Sequence, residues 1–521
     1  MKRIFNFKKE YLTDLNLINK PLIIGGTPLI VFLFICAINI QLAQKLTEFG
    51  KDFAISNFGS LWLLLVVAIS FVAFSLGFSP LGSLRIGGPN AKPSLKLFDW
   101  CAVLICTLLA GGGVFWSAAE PLIHFLTPAS YFSNITGGTS EAVDPSLAVS
   151  FLHWGFLAWA LVASTVTITF SLLAQKGLPL RPRNLLIPIL PKKVVDGTIG
   201  DLADGLSVVS AIAGTVGPLG FLSLQLSNAA GKLSFISDNA FLQTFIVLLL
   251  TLIFTFSTLS GIQKGIKILS EVNIWLTIIL GLLLFFIGPT IWLGQHFVSS
   301  NFLYLAKIRE MSLPNFDDSW VKGWTVFYWA WFLGYAPLMG LFTAGVSKGR
   351  TFRELILAVC IICPFVTNLW FNILGGNGIF IELNKPGILS AQLDTGGPAG
   401  ALFSILKELP FSFILLPIAI LLIILFMCTS ADSISYAAAI VVSGEEIPPQ
   451  KIRLFWALMI GFLTIALLRI GSEIGDQTSI NALQAFIVIT AVPVTPLIIS
   501  TLWTAPKLAL KEYAKIKKSN K

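Results

Sequence analysis

Long apolar stretches recur along the whole chain, and they limit its possible folds more than any other feature of the sequence. Each is long enough for a membrane-spanning helix, which needs about 20 apolar residues. About 287 of the 521 residues are apolar and only 12% are charged, which leaves too little polar surface for a water-soluble chain of this length. Since lipid offers no hydrogen bonds, spanning segments must be helical. We therefore predict an all-α polytopic membrane protein with twelve transmembrane helices, at residues 21–45, 59–83, 98–126, 146–175, 200–230, 241–260, 268–293, 319–346, 353–379, 411–441, 453–471 and 481–504.

The same composition excludes several classes of protein. Its apolar content rules out a cytosolic enzyme and a secreted disulfide scaffold, and it carries no HExxH or phosphate-loop motif. The six cysteines all lie inside apolar runs, where a thiol acts as a small hydrophobic side chain. Cys360 and Cys363 have the spacing of a redox or zinc motif, but no second pair accompanies them. We predict no enzyme activity.

The distribution of Lys and Arg sets the orientation of the predicted helices. In membrane proteins these residues concentrate in cytoplasmic loops. With both termini inside, the inner connections and tails hold 26 of the 35 Lys and Arg, and the outer connections hold 9. We therefore predict a multi-pass protein of the cytoplasmic (inner) membrane with both termini cytoplasmic. The net charge of +9 is then an orientation signal that contacts anionic membrane lipid, and no nucleic-acid partner is predicted.

Interrupted helices indicate where a carrier binds its substrate. The third predicted helix contains the run AGGG at 110–113, and the eighth contains Gly334 and Pro337. Because they lie five helices apart, they predict a five-plus-five inverted repeat preceded by two additional helices. The alternative is that these glycines only allow close packing between helices. The organisation is then a tail at 1–20, two additional helices at 21–97, a first repeat at 98–293, an amphipathic surface segment at 294–318, a second repeat at 319–504 and a short basic tail at 505–521.

The fourth and eighth predicted helices are unusually rich in aromatic residues. Trp154 and Trp159 lie too deep in their helix for the interfacial belt where Trp normally gathers. The eighth helix reads WTVFYWAWFLGYAP from 324 to 337. A quaternary ammonium group has no N–H to donate, so its specific recognition relies on aromatic π faces. The pattern predicts either an aromatic cage for such a group or aromatic packing between helices.

Five stretches carry a more specific pattern: GGGVFWSAAEPLIHF (111–125), FLHWGFLAWA (151–160), GIQKGIKILSEVN (261–273), WTVFYWAWFLGYAPLMGLFTAGVSKGRTFRE (324–354) and TSADSISYA (429–437). Together they resemble the betaine/carnitine/choline transporter family. The resemblance implies a LeuT-type fold of twelve helices, in which helices 3–7 and 8–12 form the inverted repeats, and assembly as a homotrimer. It also implies uptake of glycine betaine, choline or a related osmolyte, driven by sodium or, in some members, by protons or substrate exchange.

The resemblance implies a substrate site between the fourth and eighth helices. The implied substrate-binding residues are Trp154, Trp159, Phe327, Trp331, Phe332 and Tyr335, of which Phe327 aligns with the outer gate. Two positions depart from the family, since Val162 stands where a Tyr is usual and Phe332 where a Trp is usual. Both changes weaken the cage, because Val has no π system and Phe attracts cations less than Trp. The identity of the methylated solute therefore stays open.

The resemblance also implies a sodium site. The implied ligands are the hydroxyls of Thr429 and Ser430 and the backbone carbonyls of Cys106, Leu109 and Phe426. Such oxygen ligands suit a hard cation. Helix five has no Lys or Arg to replace the ion, as happens in members that work without sodium, whereas helix three keeps only part of the glycine pattern of the coupled members. We expect Na⁺ as the coupling ion and no organic cofactor.

Three ionisable residues, Glu120, His153 and Asp432, fall within or at the ends of predicted helices. Such groups are costly in lipid and favour a function. They have two interpretations: a proton relay, or hydrogen bonds that fix helix packing. The sequence thus predicts a sodium-coupled importer of a quaternary ammonium osmolyte that works by alternating access. The alternatives are a proton-coupled carrier or exchanger of the same fold, and an osmosensor that moves no solute.

Overall fold

The chain folds almost entirely into helices. The computed structural model describes residues 19–233, 236–260, 263–445, 447–472 and 477–519. Most of the predicted N-terminal tail, residues 1–18, therefore lies outside the described residues. Over the described ranges every regular element is a helix, apart from one isolated bridge between Arg85 and Thr351. The prediction of an all-α polytopic fold is confirmed.

The α-helices are joined by short connections, by 3-10 turns and, between α16 and α17, by a π-helical turn at Ala358–Ile362. In chain order the α-helices are α1 (Lys20–Ile38), α2 (Ile40–Phe78), α3 (Leu97–Leu108), α4 (Ala110–Leu126), α5 (Val143–Trp154), α6 (Phe156–Ala163), α7 (Thr165–Ala174), α8 (Lys192–Val195), α9 (Thr198–Leu233), α10 (Ala240–Ser260), α11 (Gln263–Ile287), α12 (Thr290–Ala306), α13 (Ile308–Ser312), α14 (Ser319–Gly323), α15 (Thr325–Val346), α16 (Phe352–Leu357), α17 (Cys363–Asn384), α18 (Ser390–Gly396), α19 (Ala401–Glu408), α20 (Ser412–Ser443), α21 (Gln450–Ser472), α22 (Gln477–Ala491) and α23 (Thr495–Ser519).

Many of these helices are suited to crossing a membrane. Within the described residues ten helical runs are long and apolar enough, and two bent pairs bring the number to twelve. The pairs are α3 with α4, bent by 71°, and α11 with α12, bent by 108°. Large apolar side chains are exposed on the surface, among them Phe71, Phe241 and Ile291 at 74%, 81% and 79%. Such a surface suits lipid and not water, so the chain is a multi-pass membrane protein.

The ends of the chain are more helical than the sequence predicts. α2 runs through residues 46–58, which separate two predicted spans, and the chain turns instead at Asn39. The Asn39 side chain accepts a hydrogen bond from the Leu42 N–H at 2.9 Å and caps α2. The helix continues because Lys, Glu and Ala in 46–58 are good helix formers even where the apolar stretch pauses. At the other end, α23 continues to Ser519, through most of the predicted tail.

Only one of the two predicted helix breaks is present. The third span breaks at Leu109, between α3 and α4, as the glycine run predicts. The eighth does not, because α15 runs unbroken through Gly334 and Pro337. A proline is tolerated in a buried membrane helix because neighbouring groups satisfy the freed carbonyl. A Cβ at Gly334 would lie 2.4 Å from Ser210 Oγ, so close packing between α15 and α9 is the correct interpretation of this glycine.

The fourth span contains two breaks that the sequence analysis does not predict. α5 ends at Trp154 and α6 begins at Phe156, and a second interruption at Ser164 separates α6 from α7. Gly155 has an extended backbone, with φ −87° and ψ −150°. A Cβ there would lie 2.1 Å from the carbonyl oxygen of Phe151, so the close approach requires glycine.

The broken spans surround one long helix. α15 packs against α6, α7, α9 and α22, while α4 packs against α5, α9 and α17. The junctions between α3 and α4 and between α5 and α6 therefore both face the middle of the bundle. The inverted repeat and the domain boundaries implied for it stay predictions.

Candidate functional site

The aromatic residues predicted for the substrate site are all buried and lie on two spans. Trp154 is the last residue of α5, and Trp159 lies on α6, on the other side of the Gly155 break. The other four, Phe327, Trp331, Phe332 and Tyr335, follow one another along α15. None of the six is more than 7% exposed.

Trp154 forms the contact between the two spans. Its ring centroid lies 5.9 Å from Trp331 and 5.4 Å from Phe332, with interplanar angles of 81° and 82°. Trp331 and Phe332 are stacked within 7° of parallel. Edge-to-face contacts at these distances are favourable for aromatic pairs. The structure therefore brings these three predicted residues into one aromatic cluster.

Trp159 completes one side of the cluster. It lines a small cavity with Trp154 and Phe332, and Val162 and Leu109 close it. Val162 therefore stands on the wall of this cavity, at the position where the family usually carries an aromatic ring. The cavity measures about 10 Å³, roughly the space of one water molecule, so a trimethylammonium group enters only if these side chains move.

Phe327 and Tyr335 lie at opposite ends of the aromatic row on α15. Phe327 is 5.6 Å from Trp331 and 6.4 Å from Trp116, between ring centroids. The Tyr335 hydroxyl lies 3.0 Å from Thr215 Oγ1, on α9. Ring contacts thus join Phe327, Trp331, Phe332 and Trp154 into one row, and Tyr335 follows it on α15.

A wide cavity opens at the Phe327 end of this row. Its volume is about 590 Å³, and its wall includes Trp116, Trp324, Lys51 and Gln484. Trp116 packs edge-to-face against Trp324 at 5.6 Å, so these two rings form its floor above Phe327. A solute that enters this cavity meets aromatic faces before it reaches Trp154.

Glu120 on α4 connects the aromatic residues of both spans. Its Oε2 accepts hydrogen bonds from Trp154 Nε1–H at 2.8 Å and from the Tyr328 hydroxyl at 2.6 Å. Its Oε1 lies 2.7 Å from His153 Nδ1, and His153 Nε2 lies 3.0 Å from Thr325 Oγ1. All of these side chains are fully or almost fully buried. The carboxyl group therefore fixes the orientation of Trp154 and Tyr328.

The residues predicted for the sodium site occupy the expected elements. The Thr429 hydroxyl donates to the carbonyl oxygens of Leu425 and Phe426, at 2.8 and 3.1 Å. Ser430 is 8% exposed, and its hydroxyl has no hydrogen-bond partner within the described ranges. A buried hydroxyl oxygen without a partner is a suitable ligand for a hard cation.

The carbonyl ligands implied for sodium lie where α3 ends. Cys106 is on the last turn of α3, and the Leu109 carbonyl at the break accepts a hydrogen bond from Gly113 N–H at 3.1 Å. The α9 helix extends beyond the predicted span and includes Lys232, whose ammonium group donates to Ser404 Oγ at 2.6 Å. That lysine is bound at the end of α9, so it does not alter the absence of basic residues from the predicted span.

Asp432 stabilises helix packing. Its two oxygens accept hydrogen bonds from the hydroxyls of Ser257 and Thr258 on α10, both at 2.6 Å. Between the two interpretations of this residue, the geometry favours hydrogen bonding between α10 and α20.

The model of the betaine/carnitine/choline family of transporters matches residues 22–514. The chain belongs to this family. It is 40% identical to "Glycine betaine transporter 2" of Vibrio parahaemolyticus over 500 residues, covering 96% of the chain and 91% of that protein. It is 32% identical to "Glycine betaine transporter OpuD" of Bacillus subtilis, covering 92% of each. It is 33% identical to the "Probable glycine betaine transporter" of Desulfitobacterium hafniense, covering 85% of the chain and 88% of that protein.

This betaine/carnitine/choline family transporter contains polar site residues that the sequence analysis did not assign to a role. Tyr328 lay in the aromatic run and Glu120 was one of three ionisable candidates, but their contact was not predicted. His124 was not singled out at all. The signal was present, because Glu120 and His124 are four residues apart and therefore share one face of a helix.

Proposed function

We propose that this transporter imports glycine betaine, choline or a related quaternary ammonium osmolyte. The observation that carries the proposal is that Trp154, Trp159 and Phe332, from two distant parts of the sequence, line one small cavity in the middle of the bundle. Relatives at 40% and 32% identity are named glycine betaine transporters. The aromatic row supports the same class of solute, because π faces attract a cation that cannot donate hydrogen bonds.

We propose that sodium drives this uptake. The support is the buried Ser430 hydroxyl next to Thr429, which has no hydrogen-bond partner among the described residues, and the bend of the third span at Leu109. The oxygen ligands implied by the family resemblance match the preference of a hard cation.

We further propose that the transporter works by alternating access. The wide cavity supports an outward-facing entrance at the ends of α4 and α14, above Phe327. The small cavity around Trp154 requires rearrangement before a solute fits, which supports closure around the bound osmolyte. Inward opening would then release solute and ion to the cytoplasm.

Uptake into proteoliposomes tests the solute and the coupling ion together. We expect radiolabelled glycine betaine or choline to accumulate when sodium is higher outside, and not when potassium replaces sodium. Accumulation that follows a proton gradient or internal substrate and ignores sodium would contradict sodium coupling. Absence of uptake for glycine betaine, choline and carnitine would contradict the proposed class of solute.

A proton-coupled carrier is the second candidate, and one observation favours it. Glu120 and His153 form a buried carboxylate–imidazole pair inside the membrane-spanning bundle. Both groups can exchange protons, and such residues in spans mark proton pathways in other carriers. The proton-gradient arm of the same experiment decides between the candidates.

The aromatic site is tested by removing its tryptophans. A cation–π contact in a desolvated site contributes about 2 kcal/mol, so Trp154→Ala and Trp159→Ala should each raise the KM for the osmolyte by about thirtyfold. Trp503→Ala is the matched control, because this tryptophan is 66% exposed on α23 and should leave KM unchanged. Wild-type KM values in both site variants would show that the cage lies elsewhere.

We also propose assembly as a homotrimer in the inner membrane with both termini cytoplasmic. The orientation is supported by the excess of Lys and Arg in alternate connections, and the trimer only by the family resemblance. The mass of the transporter in lipid nanodiscs gives the number of chains in the assembly. Reporter fusions at each terminus test the orientation. The mass of a monomer would contradict the trimer, and a terminus outside the cell would contradict the orientation.

A further inference from the structure

Three buried side chains near the wide cavity form a set of metal-ligand atoms, a role that the proposed function does not assign to them. Glu120, His124 and His153 each present one ligand atom, and these atoms all lie within 4.8 Å of one another. All three side chains are buried, at 0% or 1% exposure. Two histidines and one carboxylate are the donor set of many zinc sites with an open fourth position.

The His124 ring packs against Trp320 and Trp324, with centroids 5.3 and 4.5 Å away. Its Nε2 lies 3.4 Å from Glu120 Oε1, and among the described residues neither ring nitrogen has a hydrogen-bond partner. A buried imidazole without partners costs free energy, which a bound ion would offset. The ring is aimed at Glu120 from the next turn of the same helix.

The two oxygens of Glu120 are used differently. Oε2 accepts hydrogen bonds from Trp154 and Tyr328, whereas Oε1 faces both histidines. An ion bound to Oε1 therefore leaves both bonds of Oε2 in place. They become the outer contacts that orient a ligating carboxylate.

The spacing requires an adjustment of the two imidazole rings, whose ligand nitrogens lie within 4.8 Å of each other and must come to the separation that a bound ion sets. Ligand atoms about 2.05 Å from a tetrahedral zinc ion lie about 3.3 Å apart. Glu120 Oε1 is already 3.4 Å from His124 Nε2, and its 2.7 Å contact with His153 Nδ1 must lengthen by about 0.6 Å. His153 Nε2 can then donate to Thr325 Oγ1, 3.0 Å away, the contact that fixes a metal-bound imidazole.

We propose that Glu120, His124 and His153 bind a zinc-class divalent ion, which fixes α4 against α5 and inhibits transport. The ion would enter from the wide cavity, because the His124 ring packs against Trp324 at 4.5 Å and Trp324 lines that cavity. The ion bridges two spans and holds the residue that orients Trp154. This inference goes beyond the proposed function, and its binding test needs no substrate.

Cobalt is the probe, because Co²⁺ in a tetrahedral site absorbs visible light and zinc does not. The full-length transporter, purified with an affinity tag that lacks histidine and treated with a chelator, is titrated with Co²⁺. We expect a visible d–d band that saturates at one ion per chain and disappears when Zn²⁺ is added. Absence of such a band in the wild type would overturn the proposal.

The chain has three histidines, which allows a complete set of variants. Loss of an outer-shell partner costs about 10- to 100-fold in metal affinity, so loss of a ligand in His124→Gln or His153→Gln should cost more than about 100-fold. His296→Gln is the matched control, because His296 pairs with Asp144 at 2.7 Å, away from the cluster, and should keep the band. An unchanged band in His124→Gln, or its loss in His296→Gln, would overturn the proposal.

Folding and inhibition are measured separately. Each variant is checked by gel filtration and by its melting temperature in metal-free buffer. If both ligand variants fail to fold, the cobalt band of His296→Gln tests the site, because His124 and His153 are the histidines left in that variant. A band that persists supports the proposed site, and its loss contradicts it. Zn²⁺ outside the proteoliposomes should reduce uptake in the wild type and not in His124→Gln. Binding without reduced uptake would contradict the inhibition.

Discussion

Glu120 shows how one buried side chain can organise a site that contacts the solute through other residues. Its carboxyl group receives hydrogen bonds from Trp154 and Tyr328 on two different spans. Hydrogen bonds to a charged group contribute about 1.5–3 kcal/mol each, more than neutral ones. The orientation of the aromatic faces therefore depends on a residue that does not itself form a wall of the small cavity.

The variant Glu120→Gln should weaken transport through this orientation. A neutral amide oxygen accepts the Trp154 and Tyr328 hydrogen bonds more weakly than a carboxylate oxygen does, and we expect KM to rise at least about tenfold. Tyr328→Phe removes a single bond and should have a smaller effect. KM and maximal rate are measured with the melting temperature of each variant.

The control for Glu120 is Glu310→Gln. Glu310 is 59% exposed and pairs with Lys307, so this surface change should leave both constants unaltered. A Glu120→Gln variant with the KM of the wild type would show that the carboxyl group does not position the aromatic residues.

Gly112 fixes the distance between the aromatic cluster and α4. A Cβ at this position would lie 2.4 Å from Trp331 Cη2 and 3.4 Å from Trp154 Cη2. Gly112→Ala should therefore displace the Trp331 ring and lower transport by about tenfold, since overpacking costs about 1–3 kcal/mol. Gly294→Ala is the control, because nothing lies within 4 Å of its Cβ position. Equal uptake by the two variants would contradict this close contact.

The sequence predicts members of the aromatic cluster but not its polar contacts. Trp154, Trp331 and Phe332, which the resemblance assigns to one site, lie in one cluster, and their part in substrate binding stays a prediction. The Glu120 contacts could not be predicted, because they join positions 33 to 208 residues apart in the chain and depend on how three helices pack. The spacing of residues in the sequence predicts contacts only between neighbours on one helix, such as Glu120 and His124.

At the scale of helices, local chemistry decides some breaks and tertiary contacts decide others. The break at Leu109 follows from the glycines beside it, which form poor helix interiors. The break at Gly155 follows a single glycine, and Gly334 and Pro337 sit in an unbroken helix. A glycine or proline in a membrane helix therefore predicts a break only when the packing around it does not restore the helix.

The connection between α7 and α9 is tied to α9 by an ion network. Arg181 and Arg183 both contact Asp204 Oδ2 at 2.6 Å, and Arg183 also contacts Asp201 at 2.6 Å. The Asp204 side chain is fully buried, whereas the arginines are 11–20% exposed. A buried carboxylate in such a network makes the connection a fixed part of the fold.

Breaking this network should destabilise the protein. Removal of one partner of a buried pair costs about 3–5 kcal/mol, and we expect about 2 kcal/mol for Arg183→Gln because Arg181 remains. The melting temperature in detergent should fall by at least about 2 °C. Lys385→Gln is the control, because Lys385 is 62% exposed in its pair with Glu408. Equal melting temperatures for the two variants would contradict a structural role for the network.

At the scale of the whole molecule, the wide cavity and the small cavity lie along the proposed solute path, and the wide cavity is open to the surface. The wide cavity reaches Trp116 and Trp324, and Phe327 and Trp331 separate it from Trp154. The sequence predicted the spans that build this path. The sequence could not predict which end of this path is open in the structure, because one sequence adopts every conformation that a carrier takes.

The alternating-access proposal predicts that the wide cavity closes when solute and sodium bind. Gln484 is half-buried in its wall, so in Gln484→Cys a membrane-impermeant maleimide added outside should react with the new thiol. Five of the native cysteines are buried and Cys106 is partly so, and wild-type labelling gives the baseline. Saturating glycine betaine with sodium should slow the reaction several-fold, because closure excludes water and reagent from the cavity.

Asp317→Cys is the control, because this side chain is 91% exposed before α14 and should react at the same rate with and without the ligands. Labelling of Gln484→Cys that ignores both ligands would contradict closure at this end, and the entrance would then have to lie elsewhere.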